Sequence, residues 1–129
     1  SHLKILDCDG IKTTHPKYDP TKPQDVHTWS SLKLEKEFQK ALKGNESFVL
    51  DSTGGNTDKL SRRIFEAQDA GFQTTLVYVT CSLKIALERN ANRERKVDAN
   101  IIRQKYKDVI YGFQLVASLP DKVEVINNN

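Results

Sequence analysis

Cysteine is scarce in this sequence, with only Cys8 and Cys81 in 129 residues. Neither stands in a C-x-x-C pair or beside paired histidines, so a zinc centre is not expected and both read as reduced, mostly buried thiols. No apolar run approaches the ~20 residues needed to span a bilayer. The N-terminus carries no basic stretch followed by a long apolar core, the mark of a secretory leader. A cytoplasmic chain with no membrane association is expected. Neither sign of charge predominates: the net charge is only +3, too little by itself to argue for a nucleic-acid ligand. No internal repeat is visible, and the terminal asparagines are the only biased tract.

What is present is the composition of a folded domain, 37% hydrophobic and 29% charged. Residues 1–129 are expected to form a single domain with one core. The charge is unevenly spread. Residues 81–107 hold eight Lys/Arg against three Asp/Glu, a net of +5, which leaves −2 for the remainder. A local basic region of that kind suits a phosphate or another compact anion.

Strand and helix signals alternate along the chain. Leu3-Lys4-Ile5-Leu6 reads as a short strand ending at Asp7-Cys8-Asp9-Gly10. Residues 10–25, with three prolines, read as a long irregular connection. Leu34, Phe38, Ala41 and Leu42 then share one helical face within 26–43. A strand over 47–51 stops at Asp51-Ser52-Thr53-Gly54-Gly55, and Asn56 or Thr57 can cap a helix to about Ala70, with Gly71 just beyond. Gln73 to Thr80 is β-branched and aromatic, as buried strands are. Ser82 opens a helix expected to carry Arg89 and Arg93 on one side, and a second helix from about Asp98 to Ala117 follows. Lys122 to Ile126 is the last strand. This order predicts an α/β fold, a parallel sheet with helices on both faces.

Three sites carry chemical potential. Asp7-x-Asp9-Gly is either a general base at a strand tip or the nucleophile and acid/base of a haloacid-dehalogenase-type phosphatase; the plainer reading is that such acids cap the next turn. Asp51-Ser52-Thr53-Gly54 could hold a metal–phosphate complex, Asp51 through water and Thr53 on the anion, or be a simple strand-to-helix turn. Arg89, Arg93 and Arg95 could clamp a phosphoryl group or form a solvated basic face. His15, ahead of Pro16, reads as a structural loop residue.

In this order and spacing, the elements resemble the zeta-toxin and polynucleotide-kinase-like branch of P-loop kinases over roughly residues 3–127. The resemblance is carried by Asp9…His15-Pro16…Tyr18, by Asp51-x-Thr53-Gly54, by a helix ending in Ala70-Gly71, by Leu76-Val77-Tyr78-Val79 and by Ala86-Leu87-Glu88-Arg89-Asn90…Arg93-x-Arg95-x-Val97. It implies an ATP- and Mg²⁺-dependent transfer of a phosphate to a hydroxyl of a nucleotide sugar, a nucleotide or a polynucleotide. It assigns Asp9 as catalytic base, and Arg89 with Arg93 or Arg95 to the ATP phosphates, so all three arginines are candidates. Asp51 falls to the metal, and Asp51, Thr53, Lys12 and His15 to the substrate.

The chain departs from that family in one large respect. No G-x-x-x-x-G-K-[ST] cradle is present, since Gly54-Gly55 is followed by no Gly-Lys-Thr. The first strand and P-loop of such kinases are therefore expected to be missing from an N-terminally truncated chain, which would transfer little phosphate. That strand lies centrally in the family's sheet. Without it, strands 3–7 and 47–51 should part from strands 74–80 and 123–126, unless the halves pair into one shrunken sheet; a second chain or protein partner could supply the strand. Two other readings stand beside the kinase: the phosphatase built on Asp7 and Asp9, and a non-catalytic module that binds an anion or partner through the basic region.

Overall fold

The computed structural model describes residues 3–52 and 55–129, which form a mixed α/β structure with parallel strands. The chain divides into two compact units, one running through Ser52 and the other over the rest. Among the described residues the strands form two two-stranded sheets, so each expected strand pair makes its own sheet. Among the described residues no helix is long and apolar enough to cross a membrane.

In the first unit, β1 (Lys4–Asp7) pairs in parallel with β2 (Phe48–Asp51), Leu6 opposite Leu50 and Asp7 opposite Asp51. A two-stranded sheet is marginal by itself and needs a packed helix. Helix α2 (His27–Lys43) provides it, burying Leu34 and Phe38 against Leu6, with Ala41, Leu42, Phe48 and Leu50 around them. Phe38 meets Phe48 edge-on, with ring centroids 5.9 Å apart. The opposite face of the sheet is open to solvent: Ile5 is 63% exposed.

The stretch 10–25 is more ordered than the proline count suggests. Helix α1 (Cys8–Lys12) starts directly after β1, and a short 3₁₀ turn covers Pro23–Val26. Asp7 drives this: its carboxylate accepts the Asp9 amide at 3.1 Å and caps the new helix. Thr13 and Thr14 donate their hydroxyls to the carbonyls of Gly10 and Ile11, both at 2.7 Å, and close the turn.

In the second unit, α3 (Thr57–Asp69) is capped by Asn56, whose side chain accepts from the Lys59 amide at 3.0 Å. Gly71 follows the helix with φ +93°, a left-handed conformation that favours glycine. β3 (Thr75–Thr80) and β4 (Lys122–Asn127) pair in parallel, Tyr78 opposite Val125. Their shared start is fixed by side chains. Asp121 accepts the Thr74 amide at 2.7 Å and the Thr74 hydroxyl at 3.1 Å, and Gln68 of α3 donates to Thr74 Oγ1 and to the Leu119 carbonyl. Helix α4 (Leu83–Ala91) begins at the Ser82 cap, and α5 (Ala99–Val116) packs against both α3 and α4. Tyr78 stacks on Phe113 of α5 at 4.5 Å between centroids. Val77, Val79 and Ile126, alternating onto the other face, are exposed.

Candidate functional site

The first unit gathers four of the predicted residues at and just after the carboxyl ends of its strands, where open α/β sheets bind ligands. Asp7 and Asp51 end neighbouring strands opposite one another in the register. Asp9 sits in the first turn of α1 with its side chain 89% exposed, and Lys12, one turn on, brings Nζ to 3.6 Å from Asp9 Oδ1. The Lys12 side chain is itself only 12% exposed, so its ammonium is held near the acid rather than free in solvent.

His15 has a structural part. Its Nδ1 accepts the Lys17 amide at 3.0 Å, which leaves Nε2 to carry the proton of the neutral ring. The ring stands edge-on to Trp29, with centroids 4.7 Å apart. Further along the loop, Asp19 accepts the Thr21 hydroxyl at 2.7 Å and its amide at 2.9 Å. These two bonds, the hydroxyl's first, hold the Asp19 carboxyl below its ordinary pKa. Thr53, assigned to the substrate from sequence, lies outside the described residues. Among the described residues no group of three or more His, Cys, Asp or Glu could hold a metal ion by itself.

The second unit carries the arginines, but not as one helical face. Arg89 is in the last turn of α4, whereas Arg93 and Arg95 lie beyond its end. The helix stops at Ala91 because Asn92 caps it, its amide reaching the Glu88 carbonyl at 3.2 Å, and the Arg93 amide turns back to the Asn90 carbonyl at 3.2 Å. The i, i+4 geometry expected for Arg89 and Arg93 therefore does not form. Residues 92–96, Asn-Arg-Glu-Arg-Lys, make an exposed basic loop between α4 and α5. Among the described residues Arg89, Arg93 and Arg95 take part in no ion pair.

Asn90 and Val97 stand in the arginine run that carries the resemblance, but the sequence assigns neither a role; in the fold Asn90 is 7% exposed and holds both bonding groups of Val97 at the far end of that loop. A contact across seven residues carries no periodic signal, so only the fold reveals it. An open cavity of about 230 Å³ lies where β3 ends, walled by Tyr78, Ala86, Ile102, Tyr106 and Val109. Tyr106 donates its hydroxyl to the Cys81 carbonyl at 2.9 Å across that region.

In comparison with known proteins, residues 3–127 fit the family model described as Zeta toxin. No curated protein matched the chain.

Proposed function

The chain belongs to the zeta toxin family of P-loop kinase-like phosphotransferases, and on that premise we propose that its residues serve the transfer of the γ-phosphate of ATP to a substrate hydroxyl. The acceptor class is a nucleotide sugar, a nucleotide or a polynucleotide end. The observation that supports this most is the strand register that pairs Asp7 with Asp51 and sets Asp9 in the next turn.

In this reading Asp9 takes the proton of the attacking hydroxyl, and its exposure leaves it open to a substrate. Lys12 orients Asp9 and can contact an anionic substrate group. Asp51 holds Mg²⁺ through water. The donor set fits that ion, which binds through one or two carboxylates and keeps several waters. When bound, the ion offsets charge on the transferring phosphoryl group. Thr53 is assigned to substrate contact from the sequence alone, and His15 shapes the loop after α1. Arg89, Arg93 and Arg95 supply cations to the ATP phosphates, a task that suits guanidinium groups with no ion pair among the described residues. The free thiols of Cys8 and Cys81 support a cytoplasmic setting.

Calorimetry with Mg²⁺·ATP tests the reading. Arg93→Gln and Arg95→Gln are each expected to weaken binding roughly five- to tenfold, the effect of removing a charge-assisted contact at an exposed site. Unchanged affinity in both variants would overturn the phosphate-binding assignment.

A further inference from the structure

We propose that Asn90 is a positioning residue that holds the arginine loop in its phosphate-ready shape, an inference that rests on the phosphate-binding reading of that loop. Asn90 lies in the last turn of α4, and its side chain reaches across the whole loop. Nδ2 donates to the Val97 carbonyl at 2.6 Å, and Oδ1 accepts the Val97 amide at 2.9 Å. A side-chain amide thereby pairs with both groups of one peptide residue, as a neighbouring strand would. The Asn90 carbonyl meanwhile accepts the Arg93 amide at 3.2 Å. One residue thus fixes where the loop leaves α4 and where it enters α5.

The far end is fixed a second time. Asp98, next after Val97, caps α5 by accepting the Asn100 amide at 2.7 Å. Between these anchors every side chain from Asn92 to Lys96 is exposed, and Arg93, Arg95 and Lys96 outnumber Glu94. The loop has no buried side chain of its own to hold it, so its shape depends on the two clamped ends. Three like charges on a short segment repel one another and would spread it if an end were released.

Asn90 is buried and satisfied, so it does not itself contact a ligand. Its contribution is preorganisation: a loop already closed loses less freedom when its arginines engage an anion. Lysine-rich or arginine-rich loops lacking such a clamp meet that entropy cost on binding.

The test uses the full chain with sodium tripolyphosphate as the probe, at low ionic strength, comparing the unmodified protein with Asn90→Ala and Arg93→Gln. Asn90→Ala is expected to weaken tripolyphosphate binding about tenfold although no ligand contact is removed. Affinity is the readout that a purely structural role would leave alone. A melting temperature lowered with affinity unchanged, while Arg93→Gln weakens binding, overturns the positioning role and leaves the phosphate-binding reading standing. Absence of tripolyphosphate binding by the unmodified chain overturns both. If Asn90→Ala does not fold, amide exchange in the unmodified chain decides instead. The Val97 amide is expected to exchange far more slowly than those of residues 94–96, and to slow further with tripolyphosphate. Equal exchange across 94–97 overturns the inference.

Discussion

At the scale of single residues, the acids of the first unit divide by what their oxygens already hold. Asp7 spends one oxygen on the Asp9 amide and so behaves as the cap that its strand-end position suggests. Among the described residues Asp9 meets only the Lys12 ammonium, at 3.6 Å, and is otherwise in solvent, which leaves it open to the catalytic part proposed for it. Asp19 is the acid with a directional pKa consequence. The Thr21 hydroxyl and amide favour its ionised form, and burial opposes them only weakly. Because the folded value lies below the unfolded one, the contribution of this turn is present above the unfolded pKa and is lost as pH falls through the folded pKa. Following the Asp19 carboxyl carbon by NMR across acid pH should give a midpoint below that of an ordinary aspartate. Thr21→Ala should raise that midpoint towards the ordinary value, and no movement would show that the hydroxyl is not the main cause.

At the scale of elements, most of what the structure contains could be read from side-chain pattern. The stripe of Leu34 and Phe38 is the face α2 buries, and Ser82, Asn56 and Gly71 sit at the helix ends where their chemistry suits them. Two features were hidden for physical reasons. Helix α1 is too short to show a 3.6-residue period, and its Gly10 argues locally for a turn. The end of α4 before Arg93 depends on Asn92 and on the long-range grip of Asn90 on Val97, neither of which periodicity reports. The strand registers, too, are set by contacts such as Thr74 with Asp121 that are distant in sequence. The same logic separates two positions on α2. Phe38 is 2% exposed in the core, whereas Leu32 is 63% exposed. Phe38→Ala should cost about 3–5 kcal/mol through lost burial and the cavity left behind. Leu32→Ala should stay within about 0.5 kcal/mol of the parent. Urea unfolding followed by circular dichroism gives both values, and equal costs would mean that α2 packs through another face.

At the scale of the whole molecule, the question is how much phosphoryl transfer these 129 residues can support. The transition state of that reaction is loose, so catalysis consists almost wholly of positioning and of charge placed where it develops. The proposed base, metal carboxylate and arginines address the acceptor hydroxyl, the ion and the phosphate oxygens. The remaining requirement is a ring of backbone amides and a lysine around the β- and γ-phosphates, and the sequence contains no G-x-x-x-x-G-K-[ST] to form one. Loss of a single preorganised donor typically costs about 10²–10³ in rate, and a cradle combines several. Turnover by this chain should therefore fall at least about a thousandfold below the roughly 1–100 s⁻¹ of ordinary kinases. Radiolabelled γ-phosphate from ATP, followed onto nucleotide-sugar, nucleotide and oligonucleotide hydroxyls, measures it directly. Binding of Mg²⁺·ATP that depends on Arg93 and Arg95, with transfer barely above background, is the expected pair of results. Transfer on the order of 1 s⁻¹ that disappears in Asp9→Asn would instead mean that other residues of this chain cradle the phosphates. The base assignment would then stand, and the expectation of a nearly inert chain would fall.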